Sequence, residues 1–167
     1  WEQPLGTEIR PTTLTLAWDD RLVVGGVGIE DGVEQTNGRF LRFNRNNGSL
    51  VMTIDADDPP LVTASGQSSE LWSISGPKLQ YIDTSTGLFG GSFTHPTCHE
   101  LSGIDVASSG RDVYLTCRNG DSGYPDVSRF SLETMSFETL YTDLSGRAEA
   151  IEIGYDDRLW VLSDRDG

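Results

Sequence analysis

Positive charge is scarce in this chain. Its 167 residues hold only 12 Lys and Arg against 26 Asp and Glu, and Lys78 is the sole lysine, so the formal net charge is −14. A surface of that sign repels a phosphate backbone, and no basic run offsets it, so nucleic acid is not an expected partner. Long apolar runs are also missing: none approaches the roughly 20 residues of a membrane-spanning helix. Helical periodicity is missing too, since apolar residues nowhere recur at 3.6-residue spacing over a dozen positions without Gly or Pro. There is no G-x-S-x-G nucleophile elbow to support a serine triad, and no C-x-x-C pair to mark a strong zinc site. The first residue is Trp1, and no signal-peptide pattern follows it, which reads as a processed or excised piece.

What the chain does have is repetition. Leu14-Thr-Leu-Ala-Trp-Asp-Asp-Arg-Leu-Val-Val24 and Ile151-Glu-Ile-Gly-Tyr-Asp-Asp-Arg-Leu-Trp-Val161 are near-copies of one β-hairpin, with weaker copies over 61–74 and 103–115. Each alternates apolar and other residues around a tight polar turn. Anchored on Leu22, Leu71, Val113 and Leu159, the copies recur about every 45 residues, a period that with strands alone points to propeller blades. A second hairpin follows each of the first three, over 40–50, 79–89 and 127–137. The expected fold is therefore all-β: one incomplete β-propeller domain over 1–167, part of a ring of six to eight blades. It holds three complete four-stranded antiparallel blades at about 12–55, 61–94 and 102–143 and a partial one at 149–167, with residues 1–6 as a stray outer strand. Leu22, Val24, Leu71, Ile74, Val113, Leu115, Leu159 and Val161 are the expected core between sheets. Trp18, Trp72, Trp160, Tyr114 and Tyr155 fall at equivalent hairpin positions and read as blade-to-blade packing in preference to a sugar platform.

In such a blade, with strands A to D counted from the axis, the D-to-A and B-to-C connections emerge on one face and converge on the channel. That face should carry any site. It includes 28–37 as a B-to-C loop and holds both cysteines and both histidines. Cys98 precedes one strand A and Cys117 ends the strand B beside it, so a disulfide is expected, against two free thiols or a Cys–Cys–His metal site with His95 or His99. His99 beside Glu100, together with Glu149, forms the candidate catalytic group, where an imidazole and carboxylates offer a base or metal ligands. His95, Arg118, Asp121 and Arg147 are candidate ligand-binding residues on the same face. Asp55, Asp57 and Asp58, with Asp164 and Asp166, are candidate calcium ligands, although neither group completes an EF-hand. Asp19-Asp20 and Asp156-Asp157 lie on the opposite face, where Asp favours turn geometry. Asn47-Gly-Ser49 is formally a glycosylation acceptor but reads better as a hairpin turn.

Glu100-Leu-Ser-Gly-Ile104 with Gly110-Arg-Asp-Val-Tyr-Leu-Thr116, and Ala148-Glu-Ala-Ile151 with Asp157-Arg-Leu-Trp-Val-Leu-Ser-Asp-Arg-Asp-Gly167, resemble the blade openings of two bacterial propeller groups. These are the SdiA-regulated family and the phytase-like esterase family; a more distant similarity runs to calcium-dependent lactonases and NHL-like repeats. The resemblance covers about 65 residues and departs where Ala148 and Ala150 replace the pattern's Pro and Gly. It implies a secreted or envelope propeller with glutamates, here Glu100 and Glu149, at the channel mouth and a divalent site there.

The functional expectation is a non-catalytic propeller outside the cytoplasm, whether secreted, periplasmic or at the cell surface, that binds or assembles. Its partner is another copy or the remainder of a longer propeller chain, which must cover two exposed blade faces. Alternatives are a divalent-metal-assisted hydrolase of the esterase or lactonase type, with calcium as the one cofactor in view, and a carbohydrate-binding propeller.

Overall fold

The computed structural model describes residues 9–118, 126–142, 144 and 146–164. Among them there is no helix, and fourteen strands follow one another: β1 (Ile9–Leu16), β2 (Leu22–Glu30), β3 (Val33–Phe43), β4 (Leu50–Ala56), β5 (Val62–Ser65), β6 (Glu70–Ser75), β7 (Lys78–Asp83), β8 (Leu88–Thr94), β9 (Leu101–Val106), β10 (Asp112–Cys117), β11 (Val127–Ser131), β12 (Ser136–Tyr141), β13 (Arg147–Ile153) and β14 (Leu159–Asp164). They form three four-stranded sheets in simple sequential order, β1 to β4, β5 to β8 and β9 to β12, and a two-stranded sheet of β13 and β14. Every pairing is antiparallel. The first strands β1, β5, β9 and β13 neighbour one another in turn, as the innermost strands of successive propeller blades do. The proposed outer strand at 1–6 lies outside the described residues.

Blades of this kind are apolar on both faces, because each is sandwiched between two others. Between the first and second blades Val23, Phe40 and Ile54 meet Leu71 and Ile82. Between the second and third, Trp72, Ile74 and Leu79 meet Leu101, Val113, Leu115 and Phe130. Phe130 sits at the middle of an aromatic group, 4.7 Å from Phe93, 4.8 Å from Phe137 and 6.1 Å from Trp72 between ring centres. A third cluster of Ile9, Leu41 and Phe43 lies on the other side of the first blade.

Of the eight expected core positions, Leu71, Ile74, Val113 and Leu115 are fully buried. Leu22, Val24, Leu159 and Val161 are only half-buried. The difference is positional: these four belong to the first and fourth sheets, which among the described residues pack against another sheet on one side only. The stretch 28–37 also departs from expectation. It is strand rather than loop, because Asp31 and Gly32 take positive φ (51° and 78°) and close β2 onto β3 as a two-residue hairpin turn, the geometry whose twist matches the flanking strands.

Truncation of the central aromatic is the sharpest test of this packing. Phe130→Ala should destabilise the fold by about 3–5 kcal/mol, read as a lowered urea midpoint at unchanged slope. An exposed control such as Leu88→Ala, on the outer strand β8, should stay within about 0.5 kcal/mol of the parent.

Candidate functional site

The candidate residues Glu100, Arg118 and Glu149 come together between the third and fourth blades. β9 and β13 run against each other there, and their contact explains the glycine in Glu100-Leu-Ser-Gly-Ile104. A Cβ on Gly103 would stand 2.8 Å from the Ala150 Cα and 2.9 Å from the Ile151 nitrogen, so no larger residue fits without moving β13. Ser102 ties the two strands by donating to the Ala148 carbonyl, and its hydroxyl also meets Thr116 Oγ1 at 3.0 Å. A register shift between Ala148 and Ala150 marks a bulge in β13, and a bulge re-aims the side chain it carries, here Glu149.

That side chain meets Arg118, just beyond the end of β10. Arg118 Nε donates to Glu149 Oε1 at 3.1 Å and Oε2 at 3.0 Å, Nη2 donates to Oε2, and Nη1 donates to Glu100 Oε1 at 2.9 Å. The Arg118 backbone N–H donates to the Glu100 carbonyl at 2.8 Å, which sets the guanidinium in place. One cation thus serves two carboxylates from two blades. The bonds to Glu149, and then the fields of Glu149 and Glu100, raise the Arg118 pKa above its ordinary value. All three groups remain partly open to water. Arg147 is exposed at the start of β13, where its Cα pairs with that of Asp164.

His95 goes elsewhere. It is 4% exposed and turned into the protein, against the Phe137 ring at 4.6 Å. Its Nδ1 accepts from the Cys98 N–H at 2.9 Å and the Thr97 N–H at 3.3 Å, so its Nε2 carries the proton toward Ser128 Oγ at 3.0 Å. Burial lowers its pKa to about 4. Its backbone N–H reaches the Pro77 carbonyl, so the residue pins the loop before β9 to the second blade. Both ring nitrogens of His95, expected among the ligand-binding residues, are taken up inside the fold. His99 is exposed beside Glu100.

Cys98 and Cys117 are joined, with Cα atoms 5.9 Å apart. The acidic candidates are scattered. Asp55 pairs with Arg39 Nε at 2.8 Å, and Asp58 takes Lys78 Nζ at 2.6 Å and accepts Gln80 Nε2 on its carbonyl. Asp57 and Asp164 are on the surface. Among the described residues no three His, Cys, Asp or Glu side chains gather closely enough to hold a metal ion. Asp121 and Asp166 lie outside the described residues.

Two partnerships were not legible in the sequence. The Lys78–Asp58 pair links the first blade's outgoing connection to the second blade. Arg42 donates Nη1 to the Thr84 carbonyl of the second blade and Nη2 to Asp19 of its own blade, and it is only 4% exposed. The signal was present for Arg42, a charged residue between Leu41 and Phe43 two places after Phe40, in the apolar end of β3.

No family model matches this chain, and no curated protein matches it. Solved structures do. Hydrazine synthase of Kuenenia stuttgartiensis is similar at a TM-score of 0.74 and 15% identity, over 96% of this chain and 44% of that one. A candidate 6-phosphogluconolactonase of Bacteroides uniformis is similar at a TM-score of 0.66 and 13% identity, over 92% of this chain and 50% of that one. The chain therefore spans half or less of the length of either structure. At such identities the likeness is one of fold, and the fold is that of a propeller.

Two measurements check the loop before β9. Because burial holds His95 neutral, the folded state resists a proton that the unfolded chain accepts below about pH 6.5. The stability due to the neutral imidazole is complete above pH 6.5 and is lost as pH falls toward 4. His95→Gln should therefore remove about 2 kcal/mol of the stability decline between pH 7 and pH 5, measured by urea unfolding at each pH. Reduction of the disulfide, which joins residues 19 apart, should cost about 3 kcal/mol in the chain-entropy account, seen as a lower midpoint in dithiothreitol.

Proposed function

We propose that this chain is a non-catalytic propeller module that binds or assembles with another polypeptide, and that it works outside the cytoplasm. One observation carries the reading. The fourth sheet has two strands among the described residues, and it turns Trp160 and Leu162 outward at 64% and 66% exposure. Large apolar side chains exposed side by side on one face of a sheet mark a contact surface.

The channel face supports the same reading from the opposite direction. Carboxylates that converge repel until a cation or a proton arrives, and here the cation is the guanidinium of Arg118, bonded to both Glu100 and Glu149. A hydrolase that activates water on a divalent ion needs acids with open coordination sites, whereas these are occupied by the protein itself. The disulfide supports an oxidising compartment. No described helix is long and apolar enough to cross a membrane. The second reading, a divalent-metal hydrolase at the channel mouth, is favoured only by the fold it shares with the candidate lactonase.

Calcium distinguishes the two. An ion bound only to the folded protein, at a hundred times its dissociation constant, would add about 2.7 kcal/mol. For the binding module, millimolar calcium should leave the thermal midpoint of the parent unchanged. A rise that disappears in both Glu100→Gln and Glu149→Gln would sink this reading in favour of the hydrolase.

A further inference from the structure

The turn between β3 and β4 carries polar groups that neither the packing of the blades nor the channel mouth uses. Asn47-Gly48-Ser49 is the hairpin turn expected there. Gly48 takes positive φ (69°), its N–H donates to the Asn44 carbonyl at 2.8 Å, and the Asn44 N–H donates to the Ser49 carbonyl at 2.9 Å. Asn47 is exposed. Its Oδ1 accepts from the Ser49 N–H at 3.0 Å and from the Ser49 hydroxyl at 2.9 Å. A backbone N–H can meet only the oxygen of a carboxamide, so the group is held one way round, with Nδ2 directed away from Ser49. No other Asn in the chain is followed two places on by Ser or Thr.

The repeat shows how little of this arrangement the turn itself needs. Gly87 (φ 75°) and Met135 (φ 51°) close the equivalent turns of the second and third blades, and Thr86 and Thr134 precede them where the first blade has Asn47. Thr86 Oγ1 accepts from the Leu88 N–H at 3.4 Å, the task that Asn47 Oδ1 performs toward Ser49. One acceptor oxygen is enough for such a turn, and the second blade forms it with a leucine in place of Ser49. The carboxamide nitrogen and the hydroxyl beside it are surplus to the fold. The site is also well placed for a large substituent. Phe43, at the end of β3, pairs with Leu22 at the start of β2, so the turn shares its end of the blade with the turn at Asp19 to Arg21. Arg118 and Glu100 meet at the opposite end of the strands, beyond the end of β10 and before the start of β9. A bulky group on Asn47 therefore stands clear of the channel mouth.

Resting on the reading that the chain works outside the cytoplasm, we propose that Asn47 is a site of N-glycosylation, which takes an oligosaccharide from a lipid pyrophosphate donor. In the transfer Nδ2 forms a bond to C1 of the first sugar, and the bond from C1 to the pyrophosphate oxygen breaks. The lipid pyrophosphate leaves with that electron pair, and Nδ2 gives one proton to a base of the transferase. Nothing is oxidised or reduced. Ser49 supplies the hydroxyl that the transferase requires two residues after the acceptor. The disulfide places the chain in the kind of compartment where such transfer takes place.

The test exports the full chain through the secretory pathway of a yeast and measures the intact mass of the secreted, disulfide-closed protein. The expected result is an increase by one oligosaccharide that a peptide amidase removes, leaving aspartate at position 47 of the peptide that carried it. Ser49→Ala should lose the amidase-sensitive increase, and Ser49→Thr should keep it. Asn47→Thr copies the turn of the second blade, so it should lose the increase while its thermal midpoint matches that of the amidase-treated parent. The proposal is overturned by a secreted parent that carries no amidase-sensitive increase, or by an increase that survives Asn47→Thr or Ser49→Ala. Recovery of the protein from the cytoplasmic fraction of its own source would overturn the extracytoplasmic reading without changing what the exported chain shows, so the two failures can be told apart.

Discussion

The second sheet is apolar on both faces, and that constraint governs the packing of the blades around it. A sheet with two apolar faces is stable only between two others, so the chain cannot be understood blade by blade. The second blade meets the condition: Trp72 and Leu79 are buried against Phe130 of the third blade, and Leu71 and Ile82 are buried against Phe40 and Ile54 on the other side. The fourth does not meet it. Ile151 packs inward on the third blade, but Trp160 and Leu162, on the opposite face of the same two strands, meet water. The apolar surface that stabilises the interior between blades continues at the fourth sheet in Trp160 and Leu162.

Polar groups set the angle at which blades meet rather than the strength of their contact. Arg42 reaches across to the Thr84 carbonyl, Asp105 accepts from the Ile153 N–H at 2.7 Å, and Ser108 donates to Asp157 at 3.0 Å. Hydrogen bonds of this kind contribute about 0.5–3 kcal/mol each, those to charged groups at the upper end, no more than the few kcal/mol of one buried aromatic. What they add is direction. Apolar faces slide over one another at little cost, whereas a guanidinium bonded to one carbonyl permits a single stacking geometry.

The period of the hairpins, their alternation and their turns were legible in the sequence because they are local, and so was the disulfide, whose two cysteines fall on one end of adjacent strands. What escaped the sequence depended on partners far along the chain. His95 looked like a channel residue because it stands in a connecting loop, but Ser128 and Phe137 draw its ring inward from a strand pair more than 30 residues away. Residues 28–37 looked like a loop from their Gly, Asn and Asp content. The decisive feature was that Asp31 and Gly32 close a two-residue turn. Glu100 and Glu149 were found as residues, yet their common partner Arg118 was not placed between them, since its position depends on how the bulge in β13 meets the end of β10.

The channel mouth carries this argument a step further. Two carboxylates brought together from adjacent blades need a positive charge between them, and a chain with 26 acids and 12 bases has few to supply. Arg118 is set there by its own backbone bond to Glu100, so the guanidinium arrives with the strand and is not recruited from solvent. A metal ion entering this place would have to displace a bidentate pair and leave the guanidinium without partners, at a cost set by how far the three groups are withdrawn from water. They are only partly withdrawn, so the clamp is modest in energy and specific in geometry. It joins the third blade to the fourth at the axis, as Arg42 joins the first to the second farther out. Both arginines therefore do the same physical task, one near the channel and one near the rim: each bonds to groups on two successive blades and so fixes the rotation between them.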